Sequence, residues 1–281
     1  VTVAALDVGG TTMKGSVLSA SGAELFRLDR PTPRADPVAG VLALAAELAA
    51  AVPGVRAVGL AVPGLVDDAS GTAVRSVNLG WRDVPLRALA AARLGLPVAV
   101  GHDVRLGGLA EAERGGGDFL FVPIGTGIAA ALVLDGAPYA GAAGWSGELG
   151  HLVVRPGGEP CACGAAGCLE AYASGAALER RGGAPAAEVI ARAARGDRAA
   201  ARVWSEALDA LADALAHAVV LLDPSRIVLA GGVAQAADAL TVPITTRLAS
   251  RLTVRPAPPL TTTPLGPRAA VHGAALLAHR L

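Results

Sequence analysis

Three cysteines lie within eight residues of one another, at Cys161, Cys163 and Cys168, ten residues and more after His151. An odd, clustered set of thiols is a poor disulfide framework and suits a reducing compartment. Three thiolates and one imidazole make a Cys3His set for tetrahedral Zn2+, and Gly164 and Gly167 let the chain fold tightly around an ion. Four protein ligands close such a site, so the expected zinc is structural rather than catalytic. The competing reading is three buried thiols beside an unrelated His. Clustering in a loop bounded by Gly and Pro favours the metal.

Two Gly/Thr turns could hold phosphate. The first is Asp7-Val8-Gly9-Gly10-Thr11-Thr12-Met13-Lys14-Gly15, at the end of an apolar run, Val3–Val8, that reads as a buried strand. Adjacent glycines let the backbone approach a phosphate chain, and their N–H groups with the hydroxyls of Thr11 and Thr12 can cradle its oxygens. Asp7 is placed to hold a hydrated Mg2+, and Lys14 is the chain's single lysine. No G-x-x-x-x-G-K-[ST] occurs, so this is not a P-loop. An ordinary hairpin turn with Gly supplying positive φ explains the stretch equally well. The second turn, Gly125-Thr126-Gly127, continues as Ile128-Ala129-Ala130 and matches G-x-G-x-x-A after the strand Phe119–Ile124. A nicotinamide fingerprint requires a helix next, whereas Ala129–Leu134 before Asp135-Gly136 reads as a strand. A second phosphate-contacting hairpin fits better. Gly231-Gly232, after the strand Arg226–Ala230, could leave room for an adenosine.

Asp103 follows Gly101-His102 at the end of the strand Pro97–Val100, where a helix opens. A carboxylate there can accept the proton of an attacking hydroxyl, a role worth ~10²–10⁴ in rate. The plainer reading is that Asp103 N-caps its helix. A metal-phosphohydrolase reading of the His-Asp pair would need further ligands, and His217, His272 and His279 form no supporting pattern.

These residues need a scaffold of alternating strands and helices. Helical patterns cover Pro37–Val52, Pro85–Gly95, Val104–Gly115 and, most clearly, Asp197–Leu222, where Trp204, Leu208, Leu211, Leu215, Val219 and Leu222 recur at spacings of three and four. Pro224 is expected to end that helix. Arg255–Pro267 holds five prolines and reads as loop or edge strand. Ala269–Leu281 reads as a closing helix. The two strand–turn–strand units suggest a weak internal duplication, two lobes and α/β architecture. Basic and acidic residues balance at 24 each over 281 residues, so no basic patch for nucleic acid or anionic membrane is expected. Apolar stretches such as Phe119–Leu134 carry Gly and Pro and do not read as spanning helices. The N-terminus shows no signal-peptide pattern. A soluble cytoplasmic protein is expected.

Taken together, these stretches resemble the ROK family of sugar kinases and sugar-responsive repressors, within the actin-like ATPase superfamily. The resemblance also rests on Val62-Pro63-Gly64-Leu65-Val66-Asp67, Asn78-Leu79-Gly80-Trp81, Gly147-Glu148-Leu149-Gly150-His151 and the run from Cys161 through Cys168-Leu169-Glu170. It covers essentially the whole chain. It implies a two-lobed, ribonuclease H-like fold, with residues 1–104 and the closing helix 269–281 in one lobe and 105–268 in the other, and with ATP, Mg2+ and a hexose meeting between them. Asp103 would then deprotonate the sugar's 6-hydroxyl for attack on the γ-phosphate. Gly64, Asn78, His102, Glu148, His151 and Glu170 would hold the sugar, His151 sharing itself between sugar and zinc. Asp7, Gly9, Gly10, Thr11, Thr12, Lys14, Gly125, Thr126, Gly127, Gly231 and Gly232 would hold the nucleotide. Kinases of this family usually carry Asn-Asp where this chain has His102-Asp103. An Asn amide donates and accepts from one planar group, whereas neutral His offers one donor and one acceptor on opposite sides of a larger ring. A shift in preference toward an amino sugar or cyclitol is expected, against the alternative that His102 makes the same contact and glucose is retained. Similar kinases are often dimers or tetramers. The second functional class is a non-catalytic sugar sensor of the ROK type. DNA binding is not expected, because the first phosphate strand begins at Val3 and no basic patch exists.

Overall fold

The computed structural model describes residues 1–281, which form two units: Val1–Gly116 with Gly136–Ser146 and Arg268–Leu281, and Gly117–Asp135 with Gly147–Pro267. In the first unit the apolar run near the N-terminus becomes β1 (Thr2–Val8), whose Val3, Ala4, Ala5 and Leu6 are wholly buried. Strands covered on both faces read as continuous apolar runs, and this one does. It pairs antiparallel with β2 (Thr12–Leu18), which pairs with β3 (Glu24–Pro31). On its other side it runs parallel to β4 (Val55–Val62). A small antiparallel sheet follows, built from β5 (Leu65–Asp67), β6 (Thr72–Ser76) and β7 (Trp81–Val84). The chain then returns through β8 (Val98–His102), parallel to β4, giving the order β3-β2-β1-β4-β8. β3 lies at the edge, mostly exposed and charged at Glu24, Arg27, Asp29 and Arg30, which discourages edge pairing.

Helices cover this sheet. Pro37–Ala51 starts with Pro37 in its first turn, and the Asp36 carboxylate accepts from the Ala39 N–H at 2.9 Å. Asp103–Gly115 and the closing helix Ala269–His279 pack at backbone distance. A Cβ on Gly273 would overlap the Leu106 carbonyl, and one on Gly59 of β4 would overlap the Ala274 carbonyl. Arg268, just before the closing helix, pins it to the N-terminal hairpin: its buried guanidinium donates to Asp29 (2.9 and 3.1 Å), the Gly15 carbonyl (2.7 Å) and Ser16 Oγ (2.7 Å).

The second unit repeats the pattern. β9 (Phe119–Pro123) pairs antiparallel with β10 (Ala131–Leu134) and parallel with β12 (Arg226–Ala230), which is flanked by β13 (Leu260–Thr262), giving the order β10-β9-β12-β13; the two-residue strand β11 (Ala137–Pro138) belongs to the first unit. β10 starts at Ala131, two residues later than its sequence suggests, because Ile124 and Ile128 close the preceding turn as an isolated bridge. The proline-rich stretch supplies the short edge strand β13. The long helix spans Arg198–Leu222, capped by the Asp197 carboxylate at the Ala199 and Ala200 N–H groups. Its Trp204, Leu208, Leu211, Leu215 and Val219 are buried as their spacing implies, but Leu222 is 40% exposed. The helix ends at Asp223, whose φ of +47° turns the chain before Pro224 is reached. No helix is long and apolar enough to cross a membrane.

The close approach of the closing helix gives a direct test. Gly273→Ala must push that helix off Leu106, and overpacking of this kind destabilises by about 1–3 kcal/mol; denaturant unfolding should show a lowered midpoint with an unchanged slope.

Candidate active site

Parallel strands bring their C-terminal ends to one side of a sheet, where ligands of α/β folds gather. Here Asp7 of β1 is in register with Ala61 of β4, Ala61 with Gly101 of β8, and Val62 with His102. The Gly9-Gly10 turn, the Pro63-Gly64 turn and Asp103 therefore all leave the sheet at the same end. The glycines of the first turn are required for a reason other than the expected one. Neither Gly9 nor Gly10 has positive φ. A Cβ on Gly9 would instead lie 2.8 Å from the Thr12 carbonyl oxygen, and one on Gly10 would lie 3.2 Å from Cβ of Asn78. The turn is closed by Gly9 N–H to Thr12 O (3.0 Å) and tied down by Thr32, whose hydroxyl donates to Gly9 O at 2.6 Å and whose N–H donates to Thr11 O at 3.0 Å. Gly64 does need its freedom: its φ is +96° and a Cβ would overlap the Arg75 carbonyl. Gly10, Thr32, Arg34, Asn78 and Gly80 border a depression of about 350 Å³.

Asp7 and Asp103 share this strand end. Burial pushes the Asp7 carboxyl up to about 6; Lys14, 3.5 Å away, opposes the rise, and the Asp103 charge adds to it. Burial likewise pushes Asp103 up to about 6, opposed by the Val104 N–H that donates to its Oδ1 at 2.8 Å and by the Arg105 charge. Two carboxylates so placed are poised to take a proton or to meet a cation. The helix cap is not Asp103. His102 occupies that position, and its Nδ1 accepts from the Arg105 N–H at 3.4 Å. Its Nε2 lies 3.6 Å from Asp103 Oδ1. A ring nitrogen that accepts carries no proton, so the ring turns its donor side toward Asp103.

In the second unit the Gly125-Thr126-Gly127 turn is closed by Gly125 N–H to Gly127 O (2.9 Å), and the Gly125 carbonyl accepts from Gly175 N–H at 2.7 Å. Gly231, at φ +83°, abuts the Ile124 carbonyl, so the two Gly-containing strand ends meet. Beside them Ala230, Gly231, Gln235, Ala237 and Thr263 line a depression of about 180 Å³. Ala237 holds φ +47°, a strained conformation for a residue with Cβ. Glu170 braces the turn: its Oε2 accepts from Ile128 N–H at 2.9 Å, a role that its motif did not reveal. Gly147 and Gly150 press their segment against the carbonyls of Ala130 and Ile128, which places exposed Glu148 and His151 beside the same hairpin.

The four expected metal ligands do converge. One donor atom from each of His151, Cys161, Cys163 and Cys168 lies within 4.8 Å of all the others. Cys163 and Cys168 Sγ are 3.7 Å apart, as are Cys161 Sγ and His151 Nδ1. A zinc tetrahedron with ordinary bond lengths has edges of about 3.6–3.8 Å, so the cluster fits the ion. Burial and the neighbouring thiols push Cys168 up to about 12, so it ionises at neutral pH only beside a cation. His151 Nε2 points the other way, 3.8 Å from Glu148 Oε2. Gly167, at φ +88° against the Arg155 carbonyl, makes the tight bend. Arg155 in turn reaches Asp213 of the long helix at 2.5 Å.

Sequence and structure comparisons place this arrangement. The chain matches the ROK family over residues 3–281 and belongs to it; the fold is that of the actin-like ATPases. It is 32% identical to a glucokinase of Halalkalibacterium halodurans over 272 residues, covering 85% of this chain and 82% of that protein. A xylose repressor of Caldicellulosiruptor bescii is 36% identical over 129 residues, which span 44% of this chain and 32% of the repressor. Among solved structures, a ROK family glucokinase from Streptomyces griseus in complex with glucose and AMPPNP superposes with a TM-score of 0.90 at 28% identity, with both chains fully covered.

Proposed function

We propose that this chain is an ATP-dependent sugar kinase that phosphorylates the 6-hydroxyl of a hexose, with Asp103 as the general base. The observation that carries the reading is the half-buried Asp103 carboxylate, 25% exposed and pushed up to about 6 at a strand end shared with the Gly9-Gly10 turn. On this reading Asp103 takes the hydroxyl proton while the sugar oxygen bonds to the γ-phosphorus and the bond to the ADP oxygen breaks. The first turn, with Thr11, Thr12 and Lys14, and the second, with Gly125, Thr126 and Gly127, present N–H and hydroxyl donors to phosphate. Gly231 and Gly232 leave space for the nucleoside. A Mg2+ carried by the nucleotide neutralises phosphate charge, and Asp7 is the residue suited to hold its waters.

Gly64, Asn78 and His102 are assigned to the sugar from the first unit, and Glu148, His151 and Glu170 from the second. Because Glu170 Oε2 braces Ile128, Oε1 is the oxygen assigned to the sugar. His102 supports a change of specificity: with Nδ1 engaged in the helix cap, it presents a donor and no acceptor, unlike a side-chain amide. An amino sugar or cyclitol is the substrate class in view. Zinc held by His151, Cys161, Cys163 and Cys168 stiffens the segment that carries Glu148 and His151 and takes no part in phosphoryl transfer. The likeness to a xylose repressor supports a second reading, a non-catalytic sugar sensor.

Coupled ADP release with Mg·ATP across glucose, mannose, N-acetylated hexosamines, allose and inositols separates the two. The kinase reading expects turnover with at least one sugar and a fall in kcat of about 100-fold or more in Asp103→Asn. Sugar binding without any ADP release would favour the sensor. Metal analysis should find one zinc per chain, and stripping it with a chelator should lower the melting temperature; a metal-free protein of unchanged stability would refute the zinc assignment.

A further inference from the structure

One large side chain, Trp145, precedes Glu148 by three residues and follows Gly144, which packs on Leu65. Of the three tryptophans, Trp81 and Trp204 are 5% and 9% exposed, whereas Trp145 is 54% exposed. Its position is nevertheless built. The carbonyl of the preceding residue, Gly144, accepts from the Arg105 guanidinium at 3.2 Å. Arg105 is itself 5% exposed, and its other nitrogen donates to both oxygens of Asp68 at 3.3 and 3.1 Å. Gly144 also lies against Leu65, directly after Gly64; a Cβ there would meet the Leu65 side chain at 3.1 Å. The loop base is closed by Ser146 N–H to Ala140 O at 3.2 Å. One buried guanidinium thus connects three things: the first turn of the helix that opens with Asp103, the Asp68 turn, and the loop that carries the indole.

A buried Arg that spends one nitrogen on a backbone carbonyl and the other on a carboxylate is an expensive way to place an exposed loop unless the next side chain has work to do. Leaving a large aromatic face in water is unfavourable by the area it exposes. A pyranose ring presents a face of C–H bonds whose apolar surface matches an indole, and sites for small molecules combine such aromatic walls with a few polar groups. We infer that Trp145 is a specificity-determining residue: it forms an aromatic platform that stacks on the C–H face of the sugar ring. Arg105 and Asp68 act through it as positioning residues. This rests on the sugar-kinase reading and adds to it a requirement for a pyranose or cyclitol with an unbroken apolar face.

The test uses the intact protein without nucleotide. Trp145 supplies the solvent-accessible emission, so glucose, mannose and N-acetylmannosamine are titrated while acrylamide quenching and the emission maximum are followed, with calorimetry in parallel. The platform predicts that a binding sugar shifts the emission to shorter wavelength and shields it from quencher, saturably and at the calorimetric Kd. Trp145→Ala should raise KM for that sugar about tenfold, with kcat within about twofold and KM for ATP unchanged. Trp145→Phe should recover most of the loss, and Asp68→Asn should raise KM for the sugar without changing kcat. Binding by calorimetry with unaltered emission and an unaltered Kd in Trp145→Ala would overturn the platform while leaving the kinase reading intact. An emission shift that follows protein concentration rather than sugar would reassign Trp145 to contact between copies of this chain. Absence of binding by any sugar, with no ADP release, would overturn both readings.

Discussion

Partial burial of two carboxylates at the same end of β1 and β8, on either side of β4, is the constraint around which the first unit is arranged. Asp103 lies in the first turn of its helix, where the helix dipole and the Val104 N–H favour its charge, worth typically ~0.3–1 kcal/mol for the dipole. Burial outweighs them, since the carboxyl rises from 3.8 to about 6. That rise corresponds to about 3 kcal/mol between the two protonation states. The sign matters: a carboxyl raised in the folded state loses folding stability as pH climbs from the unfolded value through about 6, so at neutral pH the ionised pair weakens the protein. The Arg268 staple and the backbone-close packing of β4, Asp103–Gly115 and the closing helix hold the geometry against that penalty. A cation beside the pair, or a proton taken up by it, relieves that penalty.

The second unit solves a complementary problem. Its Gly125-Thr126-Gly127 turn is held by neighbours rather than by its own sequence: Glu170 accepts from Ile128, Gly175 donates to Gly125, and Gly231 lets two strand ends touch. The cysteine loop feeds directly into Glu170 through Cys168 and Leu169. Order imposed on the thiols is therefore passed, within a few residues, to the brace of the Gly125–Gly127 turn. Arg155 carries the other side of that loop to Asp213, whose carboxyl is raised by burial but held below its usual range by Arg251 and Arg155.

Much of this was legible in the residues. β1, the long helix and the His/Cys cluster follow from apolar runs, periodicity and spacing, which are local in the sequence. The Gly/Thr turns were legible in type, yet the reason for Gly9 and Gly10 was not, since crowding by Thr12 and Asn78 has no local signature. His102 could be seen as unusual, but its capping role depends on a ring orientation that only the folded helix defines. Thr32, Arg105 and Trp145 carried no motif. Their partners Gly9, Asp68 and Gly144 lie 23, 37 and 39 residues away from Thr32 or Arg105, and charge or hydroxyl type alone does not choose among so many candidates.

The central claim is that the half-buried Asp103 carboxylate, with its raised pKa, removes the proton from the sugar hydroxyl. The most direct measurement is kcat/KM for the best sugar between pH 4.5 and 8.5, at saturating Mg·ATP, in the wild type and in Asp7→Asn. The account predicts a plateau above neutrality and a decline with a midpoint near 6 in the wild type, and the same decline with its midpoint unchanged or lower in Asp7→Asn, because Asp103 must be ionised to act and the Asp7 charge can only raise it. A profile flat down to pH 4.5 would mean that no such group governs the reaction, and the assignment of Asp103 as base would fall.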